Sequence, residues 1–194
     1  MEQGEKFNIG KATPGLEIEI LDDNGNISAP GESGEIAVRA FDGNPIVFKE
    51  YWKNSKETEA KFKGGWMLTG DLGIKDEEGY FTFISRKDDI IISSGYRIGP
   101  SEIEDTLIKH ESVAEAAVIG VPDDTRGEIP KAFIVLRQGY KPSEDLKKGL
   151  QDFVKYRLAK HEYPRKIEFI KEFPKTTTGK VKRRDLRRIE GILK

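Results

Sequence analysis

The sequence predicts an α+β protein, with a β-rich first part and a smaller second part in which strands and helices alternate. Three observations carry this. Before residue 85, Leu16-Glu17-Ile18-Glu19-Ile20-Leu21 and Gly34-Glu35-Ile36-Ala37-Val38-Arg39 alternate with period two, as half-buried strands do. After Asp88, apolar residues at helical spacing lie between near-continuous apolar runs, which reads as β-α-β-β-α-β-α. Across 194 residues, 36% hydrophobic side chains plus 20 glycines supply the apolar share of an ordinary globular chain.

The elements follow in order. Asp22-Asp23-Asn24-Gly25 closes the first run with a turn that needs positive φ. Glu57-Thr58-Glu59-Ala60-Lys61-Phe62 reads as a short helix, and Trp66-Met67-Leu68 leads into Thr69-Gly70-Asp71-Leu72-Gly73. Asp76-Glu77-Glu78-Gly79 is a turn before a strand over 80–84. Arg86-Lys87-Asp88-Asp89 then breaks the apolar pattern, and a domain boundary is expected there, dividing 1–87 from 88–194. Ile90-Ile91-Ile92 is a short strand. Ser101-Glu102-Ile103-Glu104 after Pro100 fits a capping box, with Ile103, Leu107 and Ile108 on the apolar face of the helix it opens. Residues 116–121 and 132–136 are strands of a covered sheet. Ser143 begins a longer helix with Leu146, Leu150, Phe153, Val154 and Leu158 at helical spacing. A strand over 166–170 and a last helix over 184–193 complete the chain.

Composition excludes several classes. Lys and Arg number 33 and Asp and Glu 34, a net charge of −1, which argues against a surface devoted to nucleic acid. Cysteine is absent, so disulfides, thiolate nucleophiles and Cys-zinc sites are excluded. His110 and His161 are the only histidines, and no metal site is expected. No apolar run approaches the ~20 residues of a membrane span, and residues 1–6 lack a signal-peptide core. A soluble cytoplasmic protein, or a piece of one, is expected.

Two motif matches fail. Residues 4–11 resemble a phosphate loop, but the glycines are one position too far apart and Ala12 stands where Ser or Thr would hold magnesium. Asp22, Asn24 and Asn26 resemble a calcium loop, yet Ile27 and Ser33 occupy the positions of the turn glycine and the bidentate glutamate. The basic tail Lys180-Val181-Lys182-Arg183-Arg184, with Arg187 and Arg188, reads either as a solvated helix face or as an anion-binding surface.

Four polar segments read as loops that could meet at one site. Asp71 in Thr69-Gly70-Asp71 offers two acceptor oxygens, enough for both hydroxyls of a ribose, although alone it also reads as a turn aspartate. Arg86 offers a planar fork of donors, while four successive charges also suit a solvated linker. Ser93-Ser94-Gly95-Tyr96-Arg97-Ile98-Gly99-Pro100 combines glycines that allow close backbone approach with a cation. Pro174-Lys175-Thr176-Thr177-Thr178-Gly179-Lys180 suggests a mobile loop presenting a point charge, or a plain surface loop.

Taken together and in this order, the segments resemble the later motifs of the adenylate-forming superfamily: acyl-CoA synthetases, peptide-synthetase adenylation domains and beetle luciferases. Gly34-Glu35-Ile36, and Tyr51-Trp52 with Thr58 and Phe62, resemble an earlier motif. Gly65-Trp66-Met67-Leu68-Thr69-Gly70-Asp71-Leu72-Gly73 resembles the ribose-binding aspartate motif, residues 79–104 the hinge motif, and residues 174–180 the terminal lysine motif. Residues 93–100 with Asp123-Asp124-Thr125-Arg126-Gly127-Glu128 are most similar to medium-chain acyl-CoA synthetases and then to acetyl-CoA synthetase.

The resemblance implies the β-rich end of a large adenylating domain followed by a small C-terminal lid domain of a three-stranded sheet plus helices. The superfamily's phosphate loop and aromatic-Gly-x-Thr-Glu motif are absent from this chain, so it corresponds to the last third of an enzyme and is expected to be inactive alone. The implied substrates are a carboxylic acid, ATP with Mg²⁺ and coenzyme A, with Mg²⁺ ligands mostly in the N-terminal part, which is itself an implied partner. By the same resemblance Asp71 and Arg86 hold the ribose, Arg97 lies near phosphate and Asp88 is the hinge. Lys180 is the catalytic cation, touching carboxylate, α-phosphate and ribose. Ser94, Gly95, Tyr96, Arg126, Lys155, Tyr163 and Arg165 contact coenzyme A. A peptide-synthetase adenylation domain, or a stand-alone nucleotide- or partner-binding module, are the alternatives.

Overall fold

The computed structural model describes residues 8–40 and 48–193. The first six residues, and residues 4–7 of the rejected phosphate-loop match, lie outside them. The chain divides into two compact units, Met1–Asp88 and Asp89–Lys194.

The first unit contains β1 (Asn8–Gly10), β2 (Ile18–Leu21), β3 (Ser33–Arg39), α1 (Ser55–Ala60), β4 (Phe62–Lys63), β5 (Trp66–Lys75) and β6 (Phe81–Arg86). Its antiparallel sheet runs β1-β6-β5-β3-β2, with β4 on β5. Successive strand residues face opposite sides, and both sides hold a buried cluster: Ile20, Ile36 and Phe81 in one, Leu21, Ala37 and Trp66 in the other. The turn after β2 forms as expected, with Gly25 at φ +91° and the Asp22 carboxylate accepting from Asn26 N at 2.8 Å.

Strands β2 and β3 cross so closely that a side chain at Gly34 has no room. A Cβ there would lie 2.3 Å from the Leu21 carbonyl oxygen and 2.8 Å from Ile20 Cγ2. Gly34→Ala is therefore expected to lower stability by about 1–3 kcal/mol, read as a drop in melting temperature. Gly149→Ala, in an open helical position, is the control expected not to fall.

The second unit contains β7 (Ile91–Ser93), β8 (Tyr96–Ile98), α2 (Pro100–Ile108), β9 (Val113–Asp123), β10 (Gly127–Leu136), α3 (Glu144–Lys155), β11 (Lys166–Phe169) and α4 (Arg183–Ile189). The α+β class holds, and among the described residues the sheet has five strands rather than three. The β7–β8 hairpin joins through the Gly127↔Ser93 pair of β10, beyond the long β9–β10 ladder and the parallel β10–β11 pair. The apolar runs of β9 and β10 are covered on both faces. Val118, Ala132 and Ile134 pack with Ile103, Leu107, Leu150 and Val154, whereas Ala117, Ile119, Ile129 and Phe133 pack with Phe173 and Leu186. Each such fully buried Val, Leu or Ile contributes ~1.5–3 kcal/mol.

Two helix starts differ in mechanism. Helix α3 is capped as expected, the Ser143 hydroxyl accepting from Leu146 N at 3.1 Å. The capping box at Ser101 does not form. Gly99 is the N-cap with no side-chain bond, Pro100 is the first helical residue, and its fixed φ suits that position. Ser101 thus lies inside the helix, and Glu104 is used elsewhere. Ile108 is 42% exposed and outside the core. Among the described residues, no helix is long and apolar enough to cross a membrane.

Candidate functional site

In the first unit the candidate residues Asp71 and Arg86 are register partners across β5 and β6. Arg86 donates to Asp71 Oδ1 at 2.7 Å. Both side chains are partly exposed, so the pair adds at most ~1 kcal/mol of stability; what it does is orient the carboxylate. Thr69-Gly70-Asp71 is not a loop between strands but a bulge within β5. Opposite it, the β3 register jumps between Glu35 and Ala37, and Gly70 takes φ +80°. The bulge is held by side chains: Thr69 Oγ1 donates to Ile36 O at 2.7 Å, and Glu35 Oε1 accepts from Gly70 N at 3.0 Å. Glu35 is buried, and its other oxygen accepts from Lys87 Nζ at 2.8 Å. Glu35 thereby sets the backbone that carries Asp71, a role its place in an alternating run did not reveal. Asp88 lies in a 3-10 turn, Lys87–Asp89.

In the second unit, Ser94 at φ +50° and Gly95 at φ +83° form the two-residue tip between β7 and β8. Positive φ at both positions is the turn geometry suited to a twisted hairpin. Arg126 belongs to the turn between β9 and β10, where Asp123 Oδ1 accepts from its backbone N at 2.9 Å. Ser94 N donates to Arg126 O at 2.9 Å, and the Arg126 guanidinium donates to Ser94 Oγ at 3.3 Å. Tyr96 is 53% exposed and its ring stacks on His161 at 4.0 Å. Close by in sequence, Tyr163 is flanked by two cations: Lys155 Nζ 5.4 Å from the ring centroid, and Arg165, which also donates to its hydroxyl at 3.0 Å. Lys155, Tyr163 and Arg165 thus converge, and Ser94 and Arg126 converge. His161, which sequence reasoning passed over, ties its loop to the hairpin through Tyr96. Arg97 is an exposed residue of β8.

The segment ending in Lys180 is a hairpin closed by its own bonds. Lys175 bridges Val181, Thr176 N donates to Lys180 O at 2.8 Å, and Lys180 N donates to Thr176 Oγ1 at 3.0 Å. Gly179 at φ +83° turns the chain. Glu115 anchors Lys175 at 2.7 Å. Among the described residues the Lys180 ammonium has no hydrogen-bond or ion-pair partner, and Lys180 is exposed.

The basic tail is neither wholly a solvated face nor wholly an anion surface. Arg183 donates to both oxygens of Glu104 (2.8 and 2.6 Å) and to Asp89 Oδ2 at 3.3 Å, while Arg187 donates to Asp89 Oδ1 at 2.8 Å. Burial works against the charge on Arg183, but the Glu104 and Asp89 carboxylates outweigh it and hold its pKa above the ordinary value. The far end of α4 is tied similarly. Burial disfavours the Lys131 ammonium, yet the hydrogen bonds it donates to Glu168 and Glu190 keep its pKa raised. Among the described residues, no group of three or more His, Asp or Glu could hold a metal ion.

The chain is similar to the adenylate-forming enzymes: its residues 102–180, which carry β9, β10, β11 and the hairpin with Lys180, match the AMP-binding enzyme C-terminal domain family. More particularly, it is 52% identical over 186 residues to the mitochondrial acyl-coenzyme A synthetase ACSM3 of Rattus norvegicus, covering 94% of this chain and 32% of that one. It is 50% identical over 187 residues to the uncharacterized acyl-CoA ligase YtcI of Bacillus subtilis, covering 96% and 35%. Among solved structures, ATP-bound MatB from Rhodopseudomonas palustris superposes with a TM-score of 0.83 at 34% identity, covering 94% of this chain and 35% of that one. The o-succinylbenzoate CoA synthetase of Bacillus subtilis, complexed with its acyl-adenylate intermediate, gives 0.81 at 38%, covering 93% and 35%. The chain thus spans about a third of the length of the relatives it matches.

Proposed function

We propose that this chain is the C-terminal part of an ATP-dependent, AMP-forming acyl-CoA synthetase acting on a medium-chain fatty acid or acetate. In this reading residues 1–87 end the large adenylating domain, residues 88–194 form the lid, and Asp88 is the pivot. A carboxylate oxygen attacks the α-phosphorus of ATP, the bond to the bridging oxygen breaks, and pyrophosphate leaves. The coenzyme A sulfur then attacks the acyl carbon, its proton is lost, and AMP departs. ATP enters with its Mg²⁺ as substrate. Asp71, oriented by Arg86, accepts from the ribose hydroxyls. Lys180 meets the carboxylate and α-phosphate where negative charge accumulates, stabilising the transition state more than the separated anions. Ser94, Gly95 and Tyr96 line the pantetheine path in the second step, with Arg97 near phosphate. Arg126, Lys155, Tyr163 and Arg165 supply spread cationic and aromatic contacts to coenzyme A. The proposal includes a cytoplasmic location, although the relatives' names span a mitochondrial enzyme and a bacterial ligase.

The observation that carries this reading is the exposed Lys180 ammonium on a closed, anchored hairpin, within a segment half identical to acyl-CoA ligases. The test is an assay of the full-length enzyme for carboxylate-dependent ATP–pyrophosphate exchange and for thioester formation with coenzyme A. Both are expected. Exchange driven by amino acids, with no thioester to coenzyme A, would instead support the peptide-synthetase reading. Nucleotide binding with neither reaction would support a binding module.

A further inference from the structure

Asp89 is the first residue of the second unit, and its carboxylate is nearly buried, with 12% of the side chain exposed. Both its oxygens face α4: Oδ2 accepts from Arg183 and Oδ1 from Arg187. Arg183 in turn grips Glu104 of α2, whose Oε1 also accepts from Val118 N of β9 at 2.7 Å. Helix α4 starts directly after the lysine hairpin. Lys182 is its N-cap, and Lys182 N donates to Pro174 O at 2.8 Å, closing the hairpin base. A short, bonded path therefore runs from the backbone at residue 89, through two arginines, to the root of the hairpin that carries Lys180. Buried ion pairs of this kind are often no better for stability than apolar side chains of similar volume. Their directional bonds do fix register.

We propose that Asp89 is a positioning residue for adenylate formation: by holding Arg183 and Arg187 it keeps the Lys180 hairpin in fixed register with the backbone that enters the second unit. This deepens the acyl-CoA synthetase reading and rests on it. Loss of the clamp leaves Lys180 intact but off its mark, and a displacement of ~1 Å can cost on the order of a hundredfold in rate.

The test uses the full-length enzyme with Asp89→Ala, Asp89→Asn and Lys180→Ala, each assayed below its own melting temperature. The Asn variant keeps the side-chain volume where Asp89→Ala fails to fold. In both Asp89 variants, kcat for ATP–pyrophosphate exchange is expected to fall roughly tenfold or more, with KM for the acid and for ATP little changed. Thioester formation from supplied acyl-adenylate is expected to stay near the wild-type rate. If Lys180→Ala abolishes exchange while the Asp89 variants keep wild-type exchange, or lose both half-reactions equally, the clamp is overturned and the functional reading stands. If Lys180→Ala leaves exchange intact, the functional reading fails and the proposal falls with it.

Discussion

Lys180→Ala in the full-length enzyme is expected to lower carboxylate-dependent ATP–pyrophosphate exchange by about 10²–10³-fold, the range seen when a single preorganised donor at a developing charge is removed. The hairpin itself should survive, because its bonds come from the Thr176 and Thr178 hydroxyls, backbone groups and the Lys175–Glu115 pair. Since the Lys180 ammonium has no partner among the described residues, the substitution removes charge without stranding a buried group. Melting temperature is therefore expected to stay within a degree or two of wild type, as surface substitutions usually cost less than ~0.5 kcal/mol. Thioester formation from supplied acyl-adenylate should be spared, because a different hairpin, Ser94-Gly95-Tyr96, serves that step in the proposed cycle. Equal loss of both half-reactions would remove the assignment of separate duties to the two hairpins.

The second large effect is on stability. Arg183→Ala removes the cation shared by Glu104 and Asp89, whose side chains are each only 12% exposed. Asp89 keeps Arg187, but Glu104 is stranded, which is far more costly than never having placed a charge there, and a loss of ~3–5 kcal/mol is expected. Denaturant unfolding of the chain, followed by circular dichroism, should show a lower midpoint. Arg188→Ala is the internal comparison: its partner Asp185 is one helical turn away and both are partly exposed, so a change below ~0.5 kcal/mol is expected. Similar midpoints for the two variants would show that the Arg183 network does not hold α4.

Local patterns carried much of the fold. The period-two runs of β2 and β3, the helical spacing of α3 with its Ser143 cap, and the apolar runs of β9 and β10 all depend on neighbours in sequence. The motif order was legible for the same reason. What escaped depends on distant partners. The Thr69–Asp71 segment looked like a loop because its alternation breaks. It is a bulge because Glu35, on the adjacent strand, bonds Gly70 N. Arg183 and Arg187 are one helical turn apart and read as basic surface, but Asp89 lies more than ninety residues earlier. Glu104 looked like the far end of a capping box, yet the partly buried Arg183 and a strand amide claim it. That β7 and β8 join the sheet was missed because the Ser93–Gly127 pairing links residues far apart in sequence.

The most direct measurement is a crystal structure of the full-length enzyme with its acyl-adenylate bound. The predicted result is Lys180 Nζ within about 3 Å of an adenylate oxygen, with both Asp71 carboxylate oxygens on the ribose hydroxyls. An adenylate whose ribose is held by other side chains, with Lys180 remote from the phosphate, would contradict the account.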